Sequence, residues 1–455
     1  MKLPTFARSR DLRLPILIVS IVALKIVVIF VALPLAQREI SHSYGIGFAD
    51  DYDRIGWTLS EGQGYRFRPY TAPTLMREPG DPLLLAGLFW LLDDKSLNAV
   101  RVANLLLTAV AAWLTYRLAD RIFNRKAVAL LAAGLLLVHP GLFVAELRGG
   151  VEIPFTLLIV GFISALCAAL RSDRTKDYFL AGLALGVASL FRSTALLFPA
   201  FLVPYFLLWK SARPSWPRAF GVIAVIFAGA LIAISPWMLR NWQVAGVPLP
   251  TATVQPIAAH SGQYICANRS LTSGFEDLDH AAAAFRRDFA RQHGYRVTGG
   301  YYMYFYDTKD ELAFSNLLAK YVLENYRRSP TLIFKCSAIN VFNFWFTGKD
   351  WTATALNVPA QLPYLVLGIL GMVVALRAGY GRDVGILILF IAYLMLVHIP
   401  VHAQARYSEP LTPFLAIFAA VGALYLLRRR QAILAPAGSP AAMLPAAANH
   451  AGGER

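Results

Sequence analysis

The run LPILIVSIVALKIVVIFVALPLA, residues 14–36, decides the fold class because it is long enough to cross a membrane as one helix. A bilayer core needs about 20 apolar residues in a helix. The apolar region of a secretory signal is shorter, about 7–15 residues, so the run is interpreted as a retained first span. Hydrophobic residues make up 57% of the 455 residues, charged residues 15%, and the mean hydropathy is +0.51. We therefore predict an all-α polytopic membrane protein.

Positive charge is concentrated in the short links between apolar runs. The chain has 43 Lys and Arg against 27 Asp and Glu, a formal net charge of +16. Such links are typical of the cytoplasmic side of membrane proteins. A nucleic-acid-binding protein would instead gather basic residues on one soluble module, so nucleic acid is excluded as a partner. The links are RSR and DLR near the beginning, RIFNRK at 121–126, RSDRTK at 171–176, KSARPSWPR at 210–218, RAGYGR at 377–382 and LRRR at 427–430.

The apolar pattern predicts about ten full spans. If the basic N-terminus is cytoplasmic and the chain alternates sides, every basic link is cytoplasmic, and so are both termini. Two shorter runs, 82–92 and 331–346, are expected to dip into the outer face or lie along it, because either one crossing alone would invert the links. The predicted spans are 14–36, 98–119, 127–144, 153–170, 178–192, 193–209, 219–238, 361–376, 384–401 and 411–427.

This topology divides the chain into five segments and places two large loops outside. The outer region contains an amphipathic helical pattern at 309–328. It also contains Cys266, with Cys336 in or beside it, and a disulfide between them is left open. The predicted segments are a cytoplasmic N-terminus at 1–13, an N-terminal transmembrane catalytic module at 14–238 that includes the outer loop 37–97, an outer (periplasmic) region at 239–360, C-terminal transmembrane helices at 361–430, and a disordered cytoplasmic tail at 431–455.

The stretch FADDYDRIGWTLSEGQGY, residues 48–65, places three aspartates just beyond the first span. One interpretation is structural: Asp50 or Asp51 would cap a short helix at 52–60, which Gly62 and Gly64 would end. It leaves unexplained why cations accumulate nearby. These cations are Arg54, Arg66, Arg68 and Arg77.

Carboxylates beside arginines at a membrane surface suit transfer from a lipid phosphate to a polar acceptor. The carboxylate would take a proton from the attacking hydroxyl, and a guanidinium would stabilise the departing phosphate. The topology brings further polar residues to the same face, where ionisable groups are usually functional or paired. The candidates are Arg101, Glu146, Arg148, Arg406 and Tyr407, whereas Lys25 lies in the middle of the first span with no evident partner.

Asp51, Tyr52 and Asp53 also match a DxD pattern, with which some sugar-transfer enzymes hold a divalent metal. A match of three residues is common by chance, and sites with oxygen ligands normally need more partners. A divalent cation is therefore an open alternative, and no metal ligand is assigned.

An ordered series of motifs resembles the GT-C superfamily of membrane glycosyltransferases. The similar branch is that of the dolichyl-phosphate-mannose–protein mannosyltransferases, which includes bacterial aminoarabinose transferases. The resemblance covers about residues 14–427. The series is DDYDRIGWTLSEGQGY, REPGDPLLLAGLF, RVANLLLTAVAAWLTYRLADRIF, LAGLALGVASLFRSTAL, PWMLRNW, ENYRRSPTLIF with FNFW, and ARYSEPLTPFLAIF.

The resemblance implies a GT-C fold and transfer of a sugar from a polyprenyl-phosphate donor, generally with inversion. The acceptor would be a glycan, a lipid or a protein at the outer face of the plasma (inner) membrane. The expected base is Asp51, or Asp50 by a slip of one residue. Many relatives have Asp-Glu where this chain has Asp-Asp, and Asp81 replaces the usual aromatic residue of the proline frame. The phosphate-binding candidates are Arg77, Arg101, Arg406 and Arg148, and the substrate-binding candidates are Tyr52, Asp53, Glu146 and Tyr407.

Two other classes of protein compete with an enzyme. A transporter or flippase of lipid-linked sugars would show paired halves and polar residues at mid-depth. This sequence shows no internal repeat, and its polar residues gather at one face. A scaffold subunit of an envelope complex is the third alternative, and it would not bind polyprenyl phosphates.

Overall fold

The chain folds into helices joined by short links, with one small pair of β-strands. The computed structural model describes residues 12–35, 47–209, 214–269, 274–299 and 301–434, with side chains up to residue 427. In chain order the helices are α1 (Arg13–Leu35), α2 (Tyr52–Ser60), α3 (Gly80–Leu92), α4 (Leu97–Phe123), α5 (Lys126–Leu137), α6 (Pro140–Leu147), α7 (Glu152–Ser172), α8 (Thr175–Ser189), α9 (Leu202–Leu208), α10 (Trp216–Ala245), α11 (Gln255–Asn268), α12 (Phe275–Gln292), α13 (Thr308–Arg328), α14 (Thr331–Phe346), α15 (Trp351–Arg377), α16 (Gly381–His398) and α17 (Thr412–Leu434).

Seven segments in the described ranges are long and apolar enough to cross a membrane. They are α1, α4, α7, α10, α15, α16 and the segment Ala405–Leu427, which contains most of α17. The consecutive helices α5 and α6, bent by 47°, make an eighth if they count as one span. These segments make the chain a multi-pass membrane protein. The short apolar helices α3 and α14 occupy the two runs that the sequence predicts as incomplete crossings.

The predicted count of ten full spans is not confirmed. The predicted spans 178–192 and 193–209 correspond to α8, which has 15 residues, and to the segment Ser193–Leu208. Arg192 has an extended backbone between them, and the segment after it begins with 3-10 turns, one of which has Pro199 near its start. Proline has no N–H to donate and does not continue a regular helix. Both pieces are therefore shorter than the 18 residues or more of the seven candidate spans.

The bend between α5 and α6 has a local cause at His139. This residue is extended, and Pro140 fills the first position of α6. The His139 Nδ1 accepts a hydrogen bond from the backbone N–H of Leu142 at 3.3 Å, and Nε2 donates to Gln361 Oε1 at 3.2 Å. The imidazole thus caps α6 and ties it to α15. The histidine acts as a helix-end residue, and α6 is set at an angle that leaves its end beside the first outer loop.

Lys25 finds its partner in Glu146, which lies at the end of α6. The Lys25 Nζ donates to both carboxylate oxygens of Glu146 at 2.7 Å, and both side chains are buried. Charges at membrane depth are costly unless they are paired. The pair fixes α1 against α6, so the residue that the sequence left without a partner serves to hold two helices together.

The helices of the C-terminal part approach at backbone distance. A Cβ on Gly371 of α15 would lie 1.8 Å from the carbonyl oxygen of Phe418, and one on Gly422 of α17 would lie 2.3 Å from that of Leu367. Small residues permit such close contact, which drives much of helix association in membranes. Glycine is required at both positions because no side chain fits between these helices.

A predominantly helical layer, α11 to α14, connects α10 to α15. The strands β1 (Val297–Thr298) and β2 (Tyr304–Phe305) pair antiparallel within it. The helix α13 occupies the amphipathic pattern predicted at 309–328. The helix α10 continues to Ala245 and α15 already begins at Trp351, so both helices extend into the predicted segment 239–360. Polar residues at the ends of these spans continue the helices beyond their apolar cores.

The helix α17 reaches Leu434, so its last four residues fall within the segment predicted as a tail, 431–455. Residues 435–455 lie outside the described part of the chain, as do the predicted N-terminal segment up to residue 11 and the loop residues 36–46.

The contact between α15 and α17 yields a prediction about stability. Replacing Gly371 by Ala should lower the free energy of unfolding by about 1–3 kcal/mol, because the added methyl must push the two backbones apart. Thermal unfolding of the purified protein in detergent measures this change. Gly221→Ala in α10 is the control, since a Cβ there meets no atom within 4 Å. Equal unfolding temperatures for the two variants would contradict this account of the packing.

Candidate active site

The loop before α2 is held in place by backbone hydrogen bonds to the segment after α6. Phe48 and Gly149 form a parallel β-bridge, and the Ala49 N–H donates to the carbonyl of Gly149 at 2.9 Å. A Cβ on Gly149 would lie 2.3 Å from the Phe48 ring, so the two strands can approach only because residue 149 is glycine. The bridge fixes the position of the aspartates that follow.

Asp50 and Asp51 both have left-handed backbones, with φ values of 60° and 59°. This conformation costs a non-glycine residue about 1–2 kcal/mol. Asp51 occupies the N-cap position of α2, but its side chain makes no capping hydrogen bond. The structural interpretation, in which an aspartate side chain caps this helix, is therefore wrong. Two adjacent residues in this conformation are typical of a functional site, where other contacts offset the strain.

Asp50 is the more deeply buried of the two carboxylates, and three groups contact it. Arg406 Nη1 donates to Oδ2 at 2.8 Å, Tyr302 donates to Oδ1 at 2.6 Å, and Arg77 Nη2 lies 3.9 Å from Oδ1. Burial alone would raise the pKa of Asp50, but Arg406 and then Arg77 outweigh it and hold the pKa below its ordinary value. Asp50 is therefore ionised at any physiological pH.

Asp51 faces the same region from a more open position. Its side chain is 22% exposed, against 14% for Asp50. Arg54 Nε donates to Oδ1 at 2.8 Å, and the Tyr304 hydroxyl donates to Oδ2 at 2.6 Å. Burial raises the pKa of Tyr304, so its hydroxyl keeps the proton that it donates. Asp51 thus has one arginine partner and remains accessible.

The ion pairs continue from Asp50 into the membrane-spanning helices. Arg406 Nη1 also lies 3.9 Å from Glu152 Oε1, and Glu152 accepts a hydrogen bond from Arg192 at 2.7 Å. Glu152 begins α7, and Arg192 lies just after α8. Alternating charges therefore connect the loop before α2 to the ends of three apolar segments.

A cavity of about 670 Å³ opens beside these carboxylates. Its polar wall includes both aspartates together with Arg148 and Arg406. The apolar side comes from α6 and α15, through residues such as Val144 and Leu356. The arrangement can hold an anion at the arginines, an apolar chain between the two helices and a polar nucleophile at the carboxylates.

The candidate residues predicted from the sequence divide into three groups. Asp50, Asp51, Arg148 and Arg406 line the cavity, and Arg77 lies behind Asp50, stacked over the ring of Tyr302 at 3.9 Å. Tyr52 and Tyr407 are in contact with the arginines Arg77 and Arg406 but do not line the cavity. The third group consists of Arg101, Asp53 and Glu146, which do not line the cavity.

Three predicted residues are engaged by other partners. Arg101 donates to the backbone carbonyl of Leu147 at 3.1 Å and to Asn98 at 2.9 Å. Asp53 forms an ion pair with Lys95, and Glu146 forms the buried pair with Lys25. None of the three lines the cavity formed by the described residues. Their chemistry fitted a site, but each contributes to structural contacts instead.

Sequence reasoning missed the residues that the segment between α10 and α15 contributes to the cavity. Tyr302 and Tyr304 hold the two aspartates, and Asp279 and Lys349 line the cavity. The run YYMYF at 301–305 was a visible signal, since such a density of aromatics is unusual in a loop. Nothing in the sequence showed which part of the outer region folds back onto residues 48–54.

The two aspartates of the DxD pattern form ion pairs with different basic side chains. Asp51 pairs with Arg54, whereas Asp53 pairs with Lys95. Within the described ranges, no group of three or more His, Cys, Asp and Glu side chains is arranged to hold a metal ion. The divalent cation stays a prediction from the sequence pattern.

Comparisons with known proteins show that part of the chain is similar in sequence to a family of glycosyltransferases. Residues 78–239 match the family model described as dolichyl-phosphate-mannose-protein mannosyltransferase. The undecaprenyl phosphate-alpha-4-amino-4-deoxy-L-arabinose arabinosyl transferase 1 of Pseudomonas fluorescens is 31% identical over 150 residues. That match covers 32% of this chain and 26% of the relative, about a quarter of its length.

Solved structures of an oligosaccharyltransferase from Archaeoglobus fulgidus share the fold. One, tethered to an acceptor peptide with the NVT sequon, has a TM-score of 0.55 and 14% identity, and the match covers 93% of this chain and 50% of that one. Another, with an inhibitory peptide and a dolichol-phosphate, has a TM-score of 0.51 and 14% identity, with 94% and 52% covered. The chain spans about half the length of these proteins. The predicted GT-C fold and the resemblance to that superfamily are confirmed.

The matched segment includes Asp81, which lies at the start of α3 outside the candidate spans. Its side chain is 2% exposed, and Oδ2 has no hydrogen-bond partner among the described residues. Burial raises the pKa of Asp81 to about 8, and the carboxylates of Glu152 and Asp50 contribute, whereas Arg192 opposes them. The folded protein therefore holds a proton at Asp81 that the unfolded chain releases above pH 3.8.

This shift predicts a pH-dependent stability. Because the pKa of Asp81 is raised on folding, its stabilising effect is complete below about pH 4 and is lost as the pH rises through about 8. Asp81→Asn should therefore gain stability relative to the unmodified protein as the pH rises, by at most about 1.4 kcal/mol per pH unit. Thermal unfolding at pH 5, 7 and 9 measures the difference.

Asp94→Asn is the matched control, because Asp94 is exposed just beyond the end of α3. Its difference from the unmodified protein should stay constant with pH. A constant difference for Asp81→Asn as well would show that Asp81 is ionised in the folded protein.

Proposed function

We propose that the protein is an integral-membrane glycosyltransferase that moves a hexosyl or pentosyl group from a polyprenyl-phosphate donor to an acceptor on the extracytoplasmic face. The observation that carries this proposal is the cavity in which Asp50 and Asp51 face Arg406 and Arg148 at the ends of apolar helices. The GT-C fold and the match over 78–239 support it. The curated relative is named for transfer from an undecaprenyl phosphate sugar, which is the same class of donor.

Arg406 and Arg148 would bind the phosphate of the donor. Both line the cavity, and the buried Arg406 Nε has no hydrogen-bond partner among the described residues. A guanidinium presents paired N–H groups that match phosphate oxygens. The negative charge on the phosphate grows as its bond to the sugar breaks, so donors fixed in advance lower the barrier. Asp50 holds Arg406 in position, through the hydrogen bond at 2.8 Å.

Asp51 is assigned as the general base. It is the more accessible carboxylate, whereas Asp50 is occupied by Arg406 and Tyr302. Asp51 takes the proton from the acceptor hydroxyl, and the acceptor oxygen forms a bond to the anomeric carbon. The bond from that carbon to the phosphate oxygen breaks, and polyprenyl phosphate leaves with the electron pair. Attack opposite the leaving group inverts the anomeric centre, as in other single displacements at sugars.

The polyprenyl chain would leave the cavity between α6 and α15. Val144 and Leu356 line this side, and Leu356 is 50% exposed. An apolar chain here stays in the bilayer while its head group reaches the carboxylates. The basic links support a cytoplasmic location for both termini and an outer location for the site, as expected of an enzyme of the plasma (inner) membrane. The acceptor would be a glycan, lipid or protein of the cell envelope.

Substitution of Asp51 tests this function. Asp51→Asn should lower kcat by about 10²–10⁴, because the amide accepts no proton, while binding of the donor is retained. The measurement is transfer of a radiolabelled sugar from undecaprenyl-phosphate sugar to acceptors in membranes of the native cell. Glu61→Gln, an exposed acid just after α2, should leave the rate unchanged.

Asp50→Asn separates the two aspartates. It should weaken donor binding as well as turnover, because Arg406 and Arg77 lose their shared partner. Full activity of Asp51→Asn, with Asp50→Asn still binding the donor but inactive, would transfer the role of base to Asp50. Full activity of both variants would overturn the mechanism.

A further inference from the structure

Asp279 is a second buried carboxylate in the cavity, and one of its oxygens is unused. It lies on α12, lines the cavity and is 9% exposed. Its Oδ2 accepts a hydrogen bond from the Tyr301 hydroxyl, whereas Oδ1 has no partner among the described residues. A buried carboxylate oxygen without a donor is costly, so such an atom in a cavity wall is typical of a place where a ligand supplies the donor.

The cation nearest to Asp279 along its helix does not satisfy this oxygen. Arg286 is fully buried, and its Nη1 donates to the hydroxyl of Ser261 at 2.7 Å. Its guanidinium lies 5.6 Å from the centre of the Tyr301 ring. Arg286 thus donates to Ser261, and Oδ1 of Asp279 stays without a donor among the described residues.

Asp279 is connected to the reaction centre through two tyrosines. Tyr301 contacts Tyr302 edge to face, with ring centres 4.6 Å apart, and Tyr302 donates to Asp50. These contacts link Asp279 to Asp50, and both line the same cavity as Arg406, which would hold the phosphate. A sugar attached to that phosphate would therefore lie in the same cavity as Asp279.

We infer that Asp279 binds the sugar of the lipid-linked donor, by accepting a hydrogen bond from a hydroxyl or a protonated amine on the ring. The inference rests on the proposed function. Hydroxyl and ammonium groups share the ability to donate a hydrogen bond to a carboxylate oxygen, and a buried oxygen that needs a donor discriminates strongly against a ligand without one. Glu276, one turn earlier on α12, lines the same wall and adds negative charge. Asp279 is thus a residue for specificity, distinct from the base and the phosphate site.

Equilibrium binding to the full-length protein in lipid nanodiscs tests this assignment. The probes are undecaprenyl phosphate, undecaprenyl-phosphate mannose and undecaprenyl-phosphate 4-amino-4-deoxyarabinose. Asp279→Asn should weaken binding of a glycosylated probe by about tenfold to a hundredfold and leave binding of undecaprenyl phosphate unchanged. A larger effect on the mannose probe identifies a hydroxyl as the ligand group, and a larger effect on the amino sugar identifies an ammonium.

Two further variants test whether a loss of binding in Asp279→Asn comes from a disturbed structure. Asp288→Asn, an exposed position on the same helix, should leave the binding of all three probes unchanged. Tyr301→Phe removes the hydrogen bond that positions Asp279, and it should produce the same selective loss to a smaller degree. It provides the test if Asp279→Asn does not fold.

Equal weakening of all three probes by Asp279→Asn, or no weakening of any, would overturn the assignment. Failure of the proposed function has a different signature, because the unmodified protein would then bind neither undecaprenyl phosphate nor its glycosylated forms.

Discussion

The ion pair between Asp50 and Arg406 is the interaction on which the candidate site depends. It joins the loop before α2 to the start of the last candidate span across 356 residues of sequence. Arg77 and Tyr302 contact the same carboxylate, so four separate parts of the chain meet at one side chain. A buried charge persists only when it is paired and hydrogen-bonded. The fold must therefore bring these parts together to keep Asp50 ionised.

The need to pair Asp50 with Arg406 explains the strained backbone at Asp50 and Asp51. Two left-handed residues turn the chain so that one carboxylate faces inward to Arg406 and the other faces the cavity. The bridge at Gly149 and the ion pairs offset the conformational cost. Because the same contacts also orient the arginine, the geometry of the phosphate site and that of the base are set together. A substitution of either aspartate should therefore alter both the phosphate site and the position of the base.

The sequence predicted most reliably what local periodicity determines. The helices at 52–60 and 309–328 and the two short apolar segments followed from residue patterns. The grouping of Asp50, Asp51, Arg148 and Arg406 followed from placing polar residues at one end of the spans. The pairings that depend on tertiary contacts, such as Lys25 with Glu146, had no local signal. The predicted count of ten spans is not confirmed, because the segments predicted at 178–192 and 193–209 fold as helical pieces of at most 16 residues.

The same distinction explains why the segment between α10 and α15 contributed residues that the sequence did not predict. Tyr302, Tyr304 and Asp279 reach the site because β1, β2 and α12 fold back over the first loop, and no repeat or period in the sequence encodes that contact. Glu146 and Asp53 are acidic residues of the kind that an active site needs, but each forms an ion pair with a lysine instead. Residue type alone therefore indicated the kind of chemistry. The ion pairs formed in the folded protein determine which of these residues are left to line the cavity.

A structure of the protein with an undecaprenyl-phosphate sugar bound would show where the donor lies relative to the two aspartates. We predict that the phosphate lies within hydrogen-bonding distance of Arg406, that the anomeric carbon faces Asp51, and that the lipid passes between α6 and α15. Donor density at the opposite end of the spans, or a phosphate bound away from Arg406 and Arg148, would contradict it.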